Sequence, residues 1–151
     1  MTMDSSESES VALSAAVLLS QASALLARRG GRALSSWHVT WPQALSLFVL
    51  ADQGVPISAT RLVEHLGLGR TAMTSVVDRL ERNGWVERRP SPIDRRTADL
   101  VLTDAGARLV AEIRPVLRDL AEQYFSGFRS RELERLTSDL NRLRSSQPGR
   151  L

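Results

Sequence analysis

Apolar residues recur at helical spacing over residues 11–25 of the chain. They follow one another at intervals of four and three, which is the pattern of a helix with an apolar seam. The seam consists of Val11, Ala15, Leu18, Ala22 and Leu25. Further apolar residues around the same helix predict that it is buried on more than one side. We expect the Gly30–Gly31 pair to break or kink it, because glycine is a poor helix former.

The middle of the chain has the pattern of two short helices joined by a turn. We expect helices over residues 41–53, 58–66 and 70–83. The last of these has an apolar stripe at helical spacing. Its members are Met73, Val76, Val77 and Leu80. Gly67 and Gly69 stand between the second and third helices, and this arrangement is typical of a helix-turn-helix.

A hairpin and two more helices follow. Residues 85–89 and 97–102 predict two strands, and the loop between them is rich in proline and charge. A helix should start at Thr103 and be kinked by Pro115. A last helix, capped by Ser130, carries an apolar row. The row is Leu133, Leu136, Leu140 and Leu143. The predicted fold is therefore mainly α, with one small β-hairpin.

The charge of the chain is uneven. Twenty basic residues, all of them arginine, stand against 17 acidic ones. Residues 1–10 hold three acids and no base, so residues 11–151 carry 20 − 14 = +6. We expect the first ten residues to be a disordered tail, because they have little to bury. Arginine suits phosphates and guanine edges, although genome base composition alone can produce an arginine bias.

Composition also argues against several classes of site. The absence of cysteine excludes disulfides, zinc–thiolate sites and thiol redox sensing. His38 and His65 are the only histidines, and neither belongs to a ligand cluster or a catalytic motif, so we expect no metal, no cofactor and no enzyme. No run approaches the roughly 18 apolar residues of a membrane span. The sequence therefore predicts a soluble, cytoplasmic protein without a membrane partner.

One face of the helix over residues 70–83 suits the DNA major groove. This face lies opposite the apolar stripe, with hydroxyls near its start and arginine near its end. It carries Thr71, Ser75, Asp78 and Arg82, flanked by Thr74 and Arg79. Hydroxyls fit close to base edges and phosphates, and arginine reaches guanine or the backbone. Taken alone, the same pattern describes an ordinary solvated helix face.

The hairpin shifts the balance towards DNA binding. Residues 79–96 hold six arginines and three acids. Arg95 and Arg96 lie at the loop tip, where an arginine could enter the narrow minor groove. We expect Asp94 to orient a neighbouring arginine through a salt bridge. A salt-laced surface loop is the alternative, but the helix-turn-helix, the basic hairpin and the apolar seams occur in the order typical of DNA-binding proteins.

Two stretches carry a family resemblance. Residues 68–96 read LGRTAMTSVVDRLERNGWVERRPSPIDRR, and residues 102–106 read LTDAG. Through these motifs, and through residues 41–45 and 57–66, the chain resembles the MarR family of bacterial winged-helix transcriptional regulators. The resemblance covers about residues 11–145. One departure is Gly69, where many relatives carry a serine that caps the recognition helix; glycine supplies no side-chain acceptor.

The resemblance implies a homodimer that binds double-stranded DNA. The first helix and the last two would intertwine with those of a second copy. Two recognition helices about one DNA turn apart then suit a near-palindromic operator. The residues implied for the major groove and its phosphates are Arg70, Thr71, Thr74, Ser75 and Arg79. Arg95 or Arg96 would enter the minor groove, and Arg96 is preferred because it fits the family's Asp-x-Arg spacing with Asp94.

The implied architecture is a winged helix-turn-helix domain with a helical dimerisation region. The expected segments are a disordered acidic tail (1–10), an N-terminal dimerisation helix region (11–36), a winged helix-turn-helix DNA-binding domain (37–103), C-terminal dimerisation helices (104–146) and a flexible tail (147–151). The implied function is a repressor of neighbouring genes. The alternative is a helical protein-interaction module on the same scaffold without operator binding.

Many regulators of this family are released from DNA by a small aromatic or anionic ligand. The candidate pocket residues here are Trp37, His38 and Trp41, because aromatic rings and a histidine can hold a phenolic carboxylate. Core packing at the junction between the two regions explains the same residues. Without cysteine, the thiol-based, peroxide-sensing branch of the family is excluded.

Overall fold

The computed structural model describes residues 3–94 and 96–146, with side chains from residue 9 onward. Two predictions fall outside these ranges: Arg95 as a minor-groove residue, and the flexible tail over residues 147–151. The first two residues of the acidic tail also lie outside the described residues.

The described part of the chain consists of helices and three short strands. In order these are α1 (Met3–Ala33), a 3₁₀ turn (Ser35–Trp37), α2 (Trp41–Gln53), β1 (Ile57–Ser58), α3 (Ala59–Leu66), α4 (Arg70–Arg82), β2 (Val86–Pro90), β3 (Ala98–Leu102), α5 (Asp104–Tyr124) and α6 (Ser130–Ser145). The predicted fold class, mainly α with a small β-hairpin after a helix-turn-helix, is confirmed.

The sheet has a third strand that the sequence pattern did not predict. The strands lie in the order β1, β3, β2, and both pairs are antiparallel. Ile57 of β1 pairs with Leu100 of β3, and Val86 of β2 pairs with Leu102. Because β1 is two residues long and its partner is distant in sequence, no local alternation reports it. This strand ties the start of α3 to the hairpin.

Local signals define both ends of α2. Thr40 is its N-cap, and the backbone N–H of Thr40 donates to Oε1 of Gln43, 2.8 Å away. Pro42 lies in the first turn, where its missing N–H breaks no hydrogen bond. Gly54 follows the last turn with a φ of 63°, a conformation that glycine adopts without strain. The predicted bounds of this helix are confirmed.

Helix α1 is longer than its apolar seam. It begins at Met3 rather than near Val11, so residues 3–10 are helical where the sequence predicts a disordered tail. Of the predicted break or kink at Gly30–Gly31, the break is wrong, because α1 continues to Ala33, and the kink stays a prediction. A Cβ atom at Gly30 would lie 2.0 Å from Cε3 of Trp41. Gly30 is therefore required for close packing of α2 against α1.

Two local features of the last helices correct or extend the prediction. The N-cap of α6 is Arg129 and not Ser130, which is the first helical residue. The backbone N–H of Arg129 donates to Oε2 of Glu132 at 2.7 Å, as in a capping box. Pro115 lies inside α5, which continues through it over Asp104–Tyr124.

The core lies between helices α2 to α5 and the sheet. The buried apolar side chains are Leu34, Val39, Ala44, Leu47, Leu50, Ile57, Leu62, Met73, Val77, Leu80, Val86, Leu100, Leu109, Val110 and Ile113. Helix α6 contributes no buried residue. The apolar seams of α1 and α6 therefore lie outside this core, and most of their side chains are exposed in the single chain.

These seams line one apolar groove between α1, α5 and α6, with a volume of about 770 Å³. Leu18, Leu26, Phe125, Phe128 and Leu140 are among its lining residues. Leu18 is 64% exposed and Phe128 is 48% exposed, large fractions for such apolar side chains. We call this surface the apolar groove.

The sequence pattern predicts no segment that could span a membrane, but one helix has the length and composition to do so. Within α1, Glu9–Ala33 form a helix that is long and apolar enough to cross a bilayer. No unbroken apolar run is present, but residues 10–27 contain no charged side chain, and alanine and serine dilute the apolar character only slightly. The exposed apolar side chains of α1 therefore need a cover, either lipid or protein.

Candidate nucleic-acid interface

Helices α3 and α4 are held by their caps and by a glycine turn. The hydroxyl oxygen of Ser58 accepts a hydrogen bond from the N–H of Arg61 at 3.3 Å, which begins α3. Gly67 ends α3 with a φ of 64°, and its N–H donates to the carbonyl oxygen of Val63 at 2.8 Å. Gly69 is the N-cap of α4 and makes no side-chain hydrogen bond, as the sequence predicts.

The outer face of α4 brings the predicted major-groove residues together. Met73, Val77 and Leu80 bury the inner face in the core. The opposite face lines a groove of about 540 Å³. Its lining residues are Arg70, Thr71, Thr74, Ser75, Asp78, Arg79 and Arg82. All five α4 residues assigned to DNA thus lie on one surface, together with two that the assignment left out.

The hydroxyl of Thr74 already makes a hydrogen bond within α4. Its hydroxyl donates to the carbonyl oxygen of Arg70 at 3.0 Å, one turn earlier in α4. Hydrogen bonds of this kind are common for threonine in helices. Among the hydrogen bonds of residues 9–94 and 96–146, none involves the hydroxyl of Thr71 or Ser75. Thr71 and Ser75 can therefore still donate a hydroxyl hydrogen to a ligand, whereas the hydroxyl hydrogen of Thr74 is already used.

Asp78 is the one acidic residue on this face, and its charge is paired. Arg88 of β2 contacts Oδ1 of Asp78 at 2.8 Å and Oε2 of Glu81 at 2.5 Å. One guanidinium group therefore links two turns of α4 to the first strand of the hairpin. Sequence reasoning grouped Arg88 with the basic hairpin and missed this role. The available signal was a pair of carboxylates three residues apart on the helix that precedes an arginine-bearing strand.

Hydrogen bonds order the loop between β2 and β3. Ser91 is buried, and its N–H donates to the carbonyl oxygen of Thr97 at 3.0 Å. The side-chain oxygen of Asp94 accepts from the backbone N–H of Arg96 at 2.9 Å. The N–H and the hydroxyl of Thr97 both donate to the carbonyl oxygen of Asp94, each at 3.0 Å. This arrangement is an Asx-type turn.

The role expected for Asp94 differs from the contact that it makes with Arg96. The sequence predicts a salt bridge to a neighbouring arginine, but Asp94 contacts Arg96 through the backbone N–H and forms no ion pair with its side chain. Arg95 lies outside the described residues, so a salt bridge to it stays a prediction. A carboxylate so close to a backbone N–H forms that hydrogen bond without ordering a long side chain. The side chain of Arg96 is exposed at the loop tip. Asp94 thus shapes the loop that carries Arg96.

The three candidate ligand-pocket residues have separate surroundings. Nε1 of Trp37 donates to Oε2 of Glu112 in α5 at 3.2 Å. The ring of Trp41 packs against Gly30 of α1. His38 is exposed and has a φ of 53° at the end of the 3₁₀ turn. Both tryptophans join α2 and its entry to neighbouring helices, which is the packing role that the sequence also allows.

Side chains at one end of the apolar groove connect α1 to α5. The hydroxyl of Tyr124 donates to the carbonyl oxygen of Ala22 at 2.7 Å. The guanidinium carbon of Arg29 lies 5.7 Å from the centre of the Tyr124 ring, within the range of a cation–π contact. Phe125 packs edge-on against Tyr124, with ring centres 5.1 Å apart. These contacts set the position of α1 relative to α5.

Comparison with known proteins agrees with this arrangement. A family model described as MarR family matches residues 39–98. The transcriptional repressor MprA of Escherichia coli (strain K12) is 36% identical over 89 residues, which are 59% of this chain and 51% of MprA. The chain thus spans about half the length of that relative. The HTH-type transcriptional regulator YcgE of Bacillus subtilis (strain 168) is 32% identical over 111 residues, which are 66% of this chain and 71% of YcgE.

The fold agrees over most of the chain. A crystal structure of a MarR mutant from Escherichia coli complexed with operator DNA superposes with a TM-score of 0.73 at 26% sequence identity. The superposition covers 85% of this chain and 91% of that one, so it extends well beyond the segment that the family model matches. Given the family model, the sequence shared with YcgE and the common fold, this chain belongs to the MarR family.

Proposed function

We propose that the chain is a dimeric, sequence-specific DNA-binding transcriptional regulator, and a repressor of neighbouring genes. One observation carries the proposal: the outer face of α4 presents Arg70, Thr71, Thr74, Ser75 and Arg79 together on an exposed surface. Positioned cations and short hydroxyls on a helix after a tight turn suit a major groove. The fold shared with a MarR mutant that was crystallised with operator DNA supports DNA binding by this chain.

The charges on this surface favour a polyanion. Arg70, Arg79 and Arg82 lie on the α4 face, and the single carboxylate among them is paired with Arg88. The exposed Arg96 extends the positive surface along the hairpin. Phosphate contacts would hold the duplex, while hydroxyls and arginine at the base edges would select its sequence.

A second copy of the chain is proposed as the cover of the apolar groove. Leu18, Phe128 and Leu140 are exposed there, and a helical partner with the same seams would bury them. A two-fold dimer would also place two α4 helices on successive turns of the duplex, so the proposed operator is near-palindromic. With α1 covered by protein, no membrane partner and a cytoplasmic location are part of the proposal.

A small-molecule effector is also part of the proposal. The resemblance implies release from DNA by an aromatic or anionic ligand beside Trp37, His38 and Trp41. Trp37 and Trp41 bridge α2 and its entry to α5 and α1, so a ligand that displaced either ring would change how the two regions pack. Phenolic carboxylates added to a preformed DNA complex test this step. Tryptophan fluorescence reports binding separately from release.

Selection of bound fragments from the source genome tests the proposal as a whole. We expect fragments with a near-palindromic motif, bound with an affinity that falls steeply as salt rises. A protein-interaction module on this scaffold would enrich no motif and show no salt dependence. In transcription from an enriched promoter, a repressor lowers the transcript level. A raised transcript level would overturn the assignment of this chain as a repressor.

A further inference from the structure

The side chain of Thr74 has an unusual position among the hydroxyls of the α4 face. Its hydroxyl donates its only hydrogen to the carbonyl oxygen of Arg70 at 3.0 Å. The residue is nonetheless exposed on the surface proposed to meet DNA. A hydroxyl has one donor and two acceptor lone pairs. The groups that Thr74 still offers to a ligand are therefore its methyl group and the lone pairs of its oxygen.

We propose that Thr74 is a specificity-determining residue that selects an A·T pair in each half-site by contact with the 5-methyl group of thymine. The inference rests on the proposed function. In the major groove, guanine presents two acceptors, and a side chain with no hydrogen to give cannot bond to them. The oxygen lone pairs of Thr74 can accept from N6 of adenine or from N4 of cytosine and so do not separate the two base pairs, whereas thymine alone presents a methyl group.

The neighbouring hydroxyls provide a contrast on the same helix. Thr71 and Ser75 share the exposed face with Thr74. Within the described residues, neither hydroxyl donates to the helix backbone, so each remains free to donate to a phosphate or a base acceptor. The different state of Thr74 assigns it to apolar base recognition and leaves polar contacts to the other two.

The test begins with the full chain and a library of random duplexes at physiological ionic strength. Sequencing of the bound fraction gives the preferred motif. Each thymine of that motif is then replaced by deoxyuridine, one at a time, which removes the methyl group and nothing else. At one thymine in each half-site we expect wild-type affinity to fall about fourfold, the worth of one buried methylene-sized group.

Three variants assign that loss to Thr74. Thr74→Val keeps a methyl group on Cβ and should retain the fourfold sensitivity to deoxyuridine. Thr74→Ser keeps the hydroxyl, lacks the methyl group, and should bind thymine and deoxyuridine equally. Thr137→Ser makes the same chemical change on an exposed position of α6, outside the α4 face, and should behave like the wild type. Circular dichroism checks that each variant is folded.

The outcomes separate this inference from the proposed function. If no motif is enriched, the proposed function fails and the inference fails with it. If a motif is enriched but no deoxyuridine weakens wild-type binding, the inference alone is overturned. The same conclusion holds if Thr74→Ser remains as sensitive to deoxyuridine as the wild type, because another residue then contacts the methyl group. Even if a variant does not fold, the deoxyuridine scan of the wild type shows whether a thymine methyl group contributes to binding.

Discussion

Arg88 of β2 and Asp78 of α4 form an ion pair, with Nη2 and Oδ1 2.8 Å apart. The same guanidinium also reaches Glu81, so one side chain joins two turns of the proposed recognition helix to the hairpin. Both groups of the first pair are partly exposed, and such pairs contribute about 0–1 kcal/mol to stability. The more important consequence is electrostatic, because Asp78 lies on the face proposed to meet phosphates.

Arg88→Ala should weaken DNA binding about tenfold, or about 1.4 kcal/mol. The substitution leaves the charges of Asp78 and Glu81 unpaired beside the DNA and loosens the hairpin from α4. Adding Asp78→Asn to this variant should recover part of the loss, because it removes one of the two repulsive charges. Fluorescence anisotropy with a selected duplex measures both effects.

Arg131→Ala on α6 is the charge-matched control for that experiment. It removes one exposed arginine outside the helix-turn-helix and hairpin, and its effect on affinity should stay within about twofold. Equal losses for Arg88→Ala and Arg131→Ala would reduce the role of Arg88 to net charge. No recovery with Asp78→Asn would argue that Arg88 contacts the DNA itself.

Asp94 should act through its hydrogen bond and not through its charge. Asp94→Asn keeps an oxygen that can accept from the backbone N–H of Arg96, which lies 2.9 Å from the Asp94 oxygen in the wild type. The substitution also removes a negative charge near the DNA. We expect this variant to bind as tightly as the wild type or more tightly. Asp94→Ala loses the acceptor, releases the loop, and should bind about threefold to tenfold more weakly. Equal weakening in both variants would show that the carboxylate charge matters.

Arg96→Ala should weaken binding about tenfold, and the loss should depend on the sequence next to the motif. An arginine in a narrow minor groove gains most over A·T-rich steps, where the potential is most negative. Duplexes with A·T-rich and G·C-rich flanks therefore separate this role from a phosphate contact, which would be lost equally from both and would reduce the salt slope by about one. Unchanged affinity on both duplexes would remove Arg96 from the interface.

Leu140→Asp should convert the dimer into a monomer. The side chain is 40% exposed in the single chain and lines the apolar groove, so the proposed interface would bury the new charge. Light scattering after gel filtration should give the mass of one chain, 16.7 kDa, instead of twice that mass. Operator affinity should fall about a hundredfold or more, since the second half-site is no longer tethered.

Asn141→Asp introduces the same charge at the next position of α6, which does not line the groove. This control should remain dimeric. A wild type of single-chain mass in detergent-free buffer would contradict the dimer. Co-sedimentation of such a monomer with lipid vesicles would instead assign the apolar surface of α1 to a membrane.

Much of the interface follows from local sequence signals. The stripe formed by Met73, Val77 and Leu80 sets which side of α4 is buried, and hence which side carries Arg70 and Thr74. N-cap residues and glycines then define the ends of the helices. A first-turn N–H bonds to a cap side chain, and a glycine adopts the left-handed conformation, within a few residues of each helix end. These features need no tertiary contact to be predicted.

The features that sequence reasoning missed depend on contacts between distant segments. Gly30 lies inside α1, where the absence of a side chain lets the ring of Trp41 pack closely against the helix. The residues next to Gly30 in the sequence give no sign of this contact, because Trp41 belongs to the next helix. The partners of Arg88 follow from how β2 lies along α4. The two-residue strand at Ile57 exists through its pairing with Leu100, far along the chain. Each is a tertiary effect that overrides a local preference.

The two adjacent glycines of α1 give a matched test of this tertiary effect. Gly30→Ala would place a methyl carbon 2.0 Å from Cε3 of Trp41, and relief of this clash should lower the free energy of unfolding by about 1–3 kcal/mol. At Gly31 an added Cβ meets no atom within 4 Å. Gly31→Ala should therefore raise the stability by up to about 1 kcal/mol, because alanine is the better helix former.

Urea unfolding at one fixed protein concentration measures both variants, since the stability of a dimer depends on concentration. Opposite shifts of the midpoint are expected for two identical substitutions one residue apart. Destabilisation by both would mean that α1 is interrupted at the glycine pair, as the sequence pattern alone suggests. Stabilisation by both would mean that Trp41 does not pack against α1, and the proposed link between its ring and the arrangement of the two regions would then fail.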